Sequence, residues 1–283
     1  MKILRTSAAA RRAVRAWRAA GGTVALVPTM GNLHAGHASL VDIARRHADR
    51  VVASIFVNPT QFGPGEDYAR YPRTLRADTA RLRAAGADAV FVPTVAVMYP
   101  GGGGPSTTVS VPGLSTDLCG AHRPGHFDGV ASVVLRLFNI LTPEVAVFGE
   151  KDYQQLVLLR RMARDLHLET RIIGGPTVRE ADGLAMSSRN QYLDAAGRRL
   201  APALHAALRE CRLQLLAGKR DWAALERRAC RRIEAAGLHP EYVAIREARD
   251  LAPPGAGCTS LRVLAAARLG GTRLIDNLAV RLR

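Results

Sequence analysis

The sequence predicts an α/β protein in which a doubly wound parallel sheet is followed by a smaller α+β domain. In the first half of its 283 residues, short apolar runs alternate with helical patterns, which is typical of a parallel sheet with helices on both faces. After about residue 175, helices rich in Ala, Leu and Arg precede short strand-like segments. We therefore predict two domains, over residues 1–175 and 176–283.

Continuous apolar runs of four to seven residues predict the strands of the first domain, because strands buried on both faces lack polar alternation. Apolar stripes at helical spacing predict its helices. The predicted strands lie at 23–27, 51–57, 89–92 and 145–148, and the predicted helices at 37–49, 74–85, 129–141 and 153–166.

The second domain is predicted to contain two helices, at 195–217 and 220–236, followed by three strands. The strand-like segments lie at 241–246, 260–267 and 272–276. Gly174, Gly175 and Pro176 interrupt regular structure and predict a hinge between the domains. The glycine run at 101–104 predicts a surface loop.

Composition excludes several classes of protein. With 48% apolar and 23% charged residues, the chain can form a core, which excludes intrinsic disorder. No apolar run reaches the roughly 18 residues of a membrane helix, and arginines interrupt the N-terminal segment, so neither a membrane span nor a secretory signal is predicted. The four cysteines are scattered without a C-x-x-C pair, which argues against a zinc site or a disulfide framework. We predict a cytoplasmic protein with free thiols.

The net charge of +16 is compatible with nucleic acid or with small anionic ligands. Lysine occurs only at positions 2, 151 and 219, so most of the 40 cationic side chains are arginines, on stretches with the spacing of a solvated helix face. Aromatic residues make up 5%, and no compact arginine tract lies beside stacking side chains. We therefore predict no nucleic-acid partner, while a nucleic-acid-binding protein remains the alternative from another class.

The segment 27–37 contains an H-x-G-H motif after a predicted strand and at the start of a predicted helix. Backbone N–H groups and the helix dipole favour an anion there. Gly31 permits a tight turn, and Gly36 lets a phosphate approach the backbone. His34 and His37 can donate hydrogen bonds to phosphate oxygens as negative charge develops. Structural histidines and a metal pair are the alternatives, but zinc motifs on helices favour i, i+4 spacing and a third ligand.

Two further polar segments are candidates for phosphate binding. Lys151 follows a predicted strand in a chain that otherwise uses arginine, and Asp152 beside it suits ribose hydroxyls or Mg²⁺. Ser187, Ser188 and Arg189 follow the predicted hinge and form a potential phosphate clamp on a lid. Each segment taken alone is better explained as an ordinary polar turn.

Neutral amides follow the predicted strand at 51–57. Asn58 and Gln61 suit the recognition of hydroxyls and carboxylates rather than covalent chemistry. Gln155 lies on the predicted helix that follows Lys151 and is expected to face the same crevice. An Asn-Pro turn is the alternative for Asn58.

Taken together, these motifs closely resemble the pantoate–β-alanine ligase family, which belongs to the H-x-G-H nucleotidyltransferase superfamily. The resemblance covers essentially the whole chain. The matching stretches are PTMGNLHAGHASLV (28–41), SIFVNPTQFGPGEDYARYPRTL (54–75), RPGHFDGVASVV (123–134), FGEKDYQQL (148–156), VREADGLAMSSRNQYL (178–193) and TRLIDN (272–277).

The resemblance implies a Rossmann-like N-terminal domain, a small C-terminal lid and a homodimer. It also implies that ATP, (R)-pantoate and β-alanine give pantothenate, AMP and diphosphate through a pantoyl adenylate, with Mg²⁺. The alternative within enzymes is a cytidylyl- or adenylyltransferase, whose product would keep the nucleotide.

The resemblance also implies roles for individual residues, and we predict no metal ligands among them. His34, His37 and Lys151 are expected to be catalytic. Gln61, Gln155 and Asn58 are expected to bind pantoate, with Gln61 also at β-alanine. The residues expected to bind ATP are Met30, Gly31, His34, Gly36, His37, Gly149, Glu150, Lys151, Asp152, Val178, Met186, Ser187, Ser188 and Arg189.

Overall fold

The computed structural model describes residues 1–101 and 106–282, which form two compact units. The first unit comprises residues 1–150 and 158–176, and the second comprises 151–157 and the chain from Thr177 onward. The short segment 151–157, which carries Lys151, thus groups with the C-terminal part of the chain. Of the predicted glycine loop, Gly102–Gly104 lie outside the described residues.

A six-stranded sheet forms the centre of the first unit, with strand order β1-β4-β3-β2-β5-β6 and parallel pairing throughout. The predicted parallel α/β fold is therefore confirmed. The strands are β1 (Lys2–Leu4), β2 (Val24–Thr29), β3 (Arg50–Ile55), β4 (Ala89–Phe91), β5 (Val145–Gly149) and β6 (Arg171–Gly175). The helices are α1 (Ser7–Ala19), α2 (Ala35–Arg45), α3 (Leu75–Ala84), α4 (Val95–Met98), α5 (Cys119–His122), α6 (His126–Leu141) and α7 (Tyr153–Asp165), the last of which begins in the second unit.

Both faces of this sheet are buried. Ala25 and Val27 of β2 belong to the core that includes Leu40 of α2 and Leu82 of α3. Val24 and Leu26 of β2 point to the opposite face and are equally buried. Burial on both sides explains why the strands are apolar without alternation.

The strand order places β2 beside β5 at the centre of the sheet. From β2 the chain continues to β3 on one side, and from β5 it continues to β6 on the other. In open α/β sheets, ligands bind beyond the carboxyl ends of the strands where the order reverses in this way. The H-x-G-H turn follows β2, and Gly149 ends β5, so both lie at this switch point.

Between Thr177 and Leu282 the second unit contains a three-stranded antiparallel sheet, in the order β7-β8-β9, and three α-helices. The elements are α8 (Ala195–Leu200), α9 (Ala203–Leu216), α10 (Trp222–Ala235), β7 (His239–Glu247), β8 (Ser260–Leu269) and β9 (Thr272–Arg281). Leu204, Leu208 and Ile233 of the helices share a buried core with Val263 and Ala265 of β8. The predicted smaller α+β domain is thus confirmed as a fold.

Two details differ from the sequence-based expectations. The predicted helix 195–217 is interrupted at Ala201 and Pro202, because proline has no N–H to continue the helical hydrogen bonds. Gly174 and Gly175 lie in β6 rather than in a flexible link. A Cβ on Gly175 would lie 2.3 Å from Leu40 Cδ2, so this glycine is required for close packing of α2 on the sheet.

All four cysteines are free thiols, as predicted. Burial raises the pKa of the Cys211 thiol to about 12, which makes it unreactive at neutral pH. Among the residues that the structure describes, no helix combines the length and hydrophobicity needed to cross a bilayer.

Candidate active site

The two histidines of the H-x-G-H motif cap the start of α2. Gly36 N donates to His34 Nδ1 and His34 N donates to His37 Nδ1, both at 3.2 Å, and the ring centroids are 4.2 Å apart. Because both Nδ1 atoms accept backbone hydrogen bonds, each neutral ring carries its proton on Nε2. The helix cap therefore sets the tautomer and makes Nε2–H the donor of each imidazole.

The turn that leads to His34 is held by Asp78, a buried residue of α3 that the sequence reasoning missed. Its carboxylate accepts hydrogen bonds from Asn32 N at 3.0 Å and from Leu33 N at 2.8 Å. Gly31 has a φ of +86°, and a Cβ there would lie 3.1 Å from Asp78 Oδ2. This confirms the need for glycine in the tight turn. An acidic residue in an arginine-rich helix was the available signal.

A second cluster fixes Gln61 after β3. Asn58 is 1% exposed, and its Nδ2 donates to Gln61 Oε1 at 3.1 Å. Asn58 Oδ1 accepts from Tyr99 Oη at 2.7 Å, and burial raises the pKa of the Tyr99 phenol, which keeps it protonated as a donor. The amide of Gln61 is thereby oriented with Nε2 toward Met30 Sδ, at 3.1 Å. Gln61 thus presents a donor, and Tyr99, which the sequence reasoning missed, orients it.

The backbone of Gln61 is also tethered. His126 Nδ1 lies 2.7 Å from Gln61 O, and Arg123 Nη2 donates to the same oxygen at 3.2 Å. Arg123 forms two hydrogen bonds with Glu66. Burial acts to raise the pKa of Glu66, but the bonds and charge of Arg123 outweigh it and hold that pKa below its usual value. Arg123 and His126, the first and last residues of the RPGH segment, therefore anchor this turn.

Lys151 and its neighbours lie in the second unit. The Lys151 side chain is 19% exposed, and its Nζ lies 3.9 Å from Asp152 Oδ2. Asn277 Nδ2 donates to the backbone oxygen of Lys151 at 2.9 Å. Gln155, half-buried, follows in the first turn of α7.

A tight hairpin in the second unit carries Val178 and Met186, whose backbones pair through a Met186 N to Val178 O bond of 3.0 Å. Beside Val178, Arg179 binds the buried Asp276 with two bonds of 2.7 and 2.8 Å. The 3₁₀ turn Ser188–Tyr192 follows, and the Ser187 hydroxyl accepts a bond from Arg189 N at 3.3 Å.

The predicted site residues therefore form two sets. The first unit holds Met30, Gly31, His34, Gly36, His37, Asn58, Gln61, Gly149 and Glu150. The second unit holds Lys151, Asp152, Gln155, Val178, Met186, Ser187, Ser188 and Arg189.

Over residues 1–101 and 106–282, no group of three or more His, Cys, Asp or Glu side chains could hold a metal ion. Asp152 offers one exposed carboxylate beside Lys151. Mg²⁺ usually binds through one or two carboxylates together with substrate phosphates and water. These residues fit a cation that arrives with a nucleotide.

The chain matches the family model described as pantoate-beta-alanine ligase over residues 2–279. The chain belongs to this family. The reaction of pantoate–β-alanine ligases is the ATP-dependent condensation of pantoate with β-alanine, and the chain is accordingly a ligase that forms a carbon–nitrogen bond.

Curated relatives agree with this assignment to the ligase family. The chain is 58% identical to pantothenate synthetase of Halorhodospira halophila over 276 residues, which cover 97% of each chain. It is also 58% identical to that of Thioalkalivibrio sulfidiphilus over 282 residues, which cover 100% of this chain and 99% of the relative.

Solved structures of the ligase family share the fold. Pantothenate synthetase of Thermus thermophilus is 47% identical, with a TM-score of 0.91, and the match covers 98% of this chain and 99% of that one. The ligase of Francisella tularensis, complexed with beta-gamma ATP and beta-alanine, is 32% identical, with a TM-score of 0.83 and coverage of 98% and 97%.

Proposed function

We propose that the ligase reaction proceeds in two steps at the residues predicted above. The carboxylate of (R)-pantoate attacks the α-phosphorus of ATP, a phosphorus–oxygen bond forms, and diphosphate leaves. The amine of β-alanine then attacks the acyl carbon, AMP leaves, and the amine proton passes to solvent or a base. Adenylation is needed because a free carboxylate would have to expel oxide.

His34 and His37 bind the phosphates in this proposal. The observation that carries it is the pair of backbone hydrogen bonds to their Nδ1 atoms, which direct an Nε2–H donor from each ring at the end of β2. The first step requires little proton transfer, because pantoate and diphosphate are both anions. Positioning and charge stabilisation by such preorganised donors therefore supply most of the catalysis. His37 is the leading candidate for stabilising the transition state.

Residues of both sets bind the rest of ATP. Lys151 supplies an ammonium to the phosphates and Asp152 accepts from the ribose. The other ligands of ATP are, for the phosphates, Ser187, Ser188, Arg189, Gly31 and Gly36; for adenine and ribose, Met30 and the backbones of Val178 and Met186; and, beside β5, Gly149 and Glu150.

Pantoate is bound by Gln61 and Gln155, with Gln61 also close to β-alanine. Nε2 of Gln61 donates to an oxygen of the substrate, since Asn58 occupies Oε1. The described hydrogen bonds of Asn58 favour a role in orienting Gln61 over direct contact with pantoate.

Mg²⁺ would accompany the ATP phosphates and neutralise part of their charge, and Asp152 offers a protein carboxylate to hold it. We further propose that residues 1–175 bind ATP and pantoate, that 176–283 act as a lid, and that the protein works as a cytoplasmic homodimer.

Isotope exchange tests the proposed chemistry. The enzyme should exchange labelled diphosphate into ATP when pantoate is present and β-alanine is absent. Pantoate labelled with ¹⁸O in its carboxylate should transfer one label to AMP during full turnover. A lack of exchange together with unlabelled AMP would exclude the adenylate.

A further inference from the structure

The Asn277 side chain links β9 to the turn that carries Lys151. It is 3% exposed, and its Nδ2 donates to Lys151 O at 2.9 Å. Its Oδ1 accepts a hydrogen bond from Arg262 Nη1 of β8 at 3.0 Å. These two bonds fix which end of the amide faces Lys151, because Arg262 has only donors and a carbonyl oxygen only accepts.

A second link holds the neighbouring segment. The guanidinium of Arg262 lies 3.6 Å from the ring centroid of Tyr153, and the Tyr153 hydroxyl donates to Ala248 O at 2.8 Å. Lys151 and Tyr153 are thus both attached to the antiparallel sheet, Lys151 through its backbone and Tyr153 through its ring. This explains why the segment 151–157 groups with the second unit although it directly continues β5.

A fixed backbone at residue 151 is a precondition for placing the Lys151 ammonium. Its side chain has four rotatable bonds, so its own rotamers do not place Nζ unless the backbone below them is fixed. Buried amides with both ends bonded hold their partners in one arrangement.

We propose that Asn277 is a positioning residue of the ligase reaction, which acts by holding the backbone of Lys151 through its Nδ2 donor. This rests on the proposed role of Lys151 at the ATP phosphates. A purely structural role for Asn277 is the competing explanation.

Asn277→Asp removes the Nδ2 donor to Lys151 O while it keeps the Oδ1 acceptor for Arg262. It keeps an oxygen for Arg262 and sets a second oxygen against the Lys151 carbonyl, so the bond to Lys151 is lost. We expect pantoate-dependent ATP–diphosphate exchange to fall about 10- to 100-fold, because displacement of a group by about 1 Å has effects up to this size. Asn139→Asp, the same change at an exposed position of α6, should leave exchange within about 2-fold of the wild type.

The decisive measurement repeats Asn277→Asp in the Lys151→Ala background. If Asn277 acts through Lys151, the second change should cost less than about 2-fold there, because the two residues then act as a unit. An equal fold-loss in both backgrounds, or no loss in the wild-type background, would overturn the proposal. Where exchange is too slow to measure, calorimetry gives the affinity of the same four proteins for a non-hydrolysable ATP analogue. Those affinities show whether Asn277→Asp has a smaller effect in the Lys151→Ala background.

Two controls keep the tests separate. Near-normal exchange by Lys151→Ala alone would remove Lys151 from the proposed mechanism. If Asn277→Asp still lost activity in that case, Asn277 would act by a route other than Lys151, and the inference would be overturned. Thermal unfolding of Asn277→Asp and Asn277→Ala reports on the fold, and unfolding of both variants at the assay temperature would show the competing structural role.

Discussion

The two units hold the residues at, and next to, their predicted ATP-binding positions by different means. In the first, His34 and His37 are fixed by backbone donors two and three residues away. In the second, Lys151 and Arg179 are fixed by Asn277 and Asp276, 126 and 97 residues away. A local cap forms wherever the strand–turn–helix forms, whereas distant pairs require the whole second unit to be folded. Binding of ATP should therefore be more sensitive to the stability of the second unit.

The largest expected effect is a loss of unfolding free energy when the buried ion pair of the second unit is broken. Asp276→Asn leaves the Arg179 guanidinium without its bidentate carboxylate, and breaking a buried pair costs about 3–5 kcal/mol. Asp182→Asn is the matched control, because its partner Arg198 is exposed and such pairs contribute about 0–1 kcal/mol. Chemical denaturation measures both. Equal losses would contradict the contrast between buried and surface pairs.

The same pair predicts a pH dependence. Burial acts to raise the pKa of Asp276, but contacts with His205 and Arg179 outweigh it, so the pKa lies below its ordinary value of 3.8. A lowered folded-state pKa contributes stability above the unfolded pKa that is lost as the pH falls through the folded one. Unfolding free energy should therefore fall on acidification below about pH 3.8 more steeply in the wild type than in Asp276→Asn.

The next effect concerns the first unit. His37→Ala should lower exchange activity by about 10²–10³, the usual cost of removing a donor to developing charge, which equals about 3–4 kcal/mol. Its loss as a cap should cost only about 0.5–2 kcal/mol of stability. His239→Ala, at an exposed position of β7, should retain full activity. Near-normal exchange by His37→Ala would exclude His37 from the mechanism.

Gly175→Ala tests whether the first unit also depends on distant contacts. The added Cβ would lie 2.3 Å from Leu40 Cδ2 and 3.0 Å from Ile43 Cδ1. Overpacking of this kind costs about 1–3 kcal/mol, measured by thermal unfolding. In a chain that already carries Leu40→Ala, Gly175→Ala should cost less stability than it costs in the wild type. Gly271→Ala, where no atom lies within 4 Å of the added Cβ, should have little effect.

The smallest effect is expected for Tyr99→Phe. It removes the hydrogen bond to Asn58 Oδ1 and leaves the ring in place, at a cost of about 0.5–1.5 kcal/mol. Since Asn58 orients Gln61, we expect the KM for pantoate to rise by about 2- to 10-fold. The KM for ATP serves as the internal control, and an equal rise in both would contradict a role confined to pantoate.

Elements that depend on short-range interactions could be predicted from the sequence. The apolar runs of β2, β3 and β5 predicted buried parallel strands, and the H-x-G-H turn was placed correctly at the start of α2. The prediction was wrong for β6, whose glycines resembled a hinge. Gly175 is small because Leu40 packs against it, and that contact joins positions 135 residues apart.

The sequence by itself determined the α/β fold, the H-x-G-H turn after β2 and the family. Apolar periodicity, turn residues and helix caps act within a few residues, so they can be identified from the sequence alone. Only the tertiary structure decided that Asp78 holds the turn before His34, that Tyr99 orients Gln61 through Asn58, and that Asn277 reaches Lys151. Those polar pairs form because the folded chain buries both partners together. Their separation along the sequence does not indicate which residues will meet.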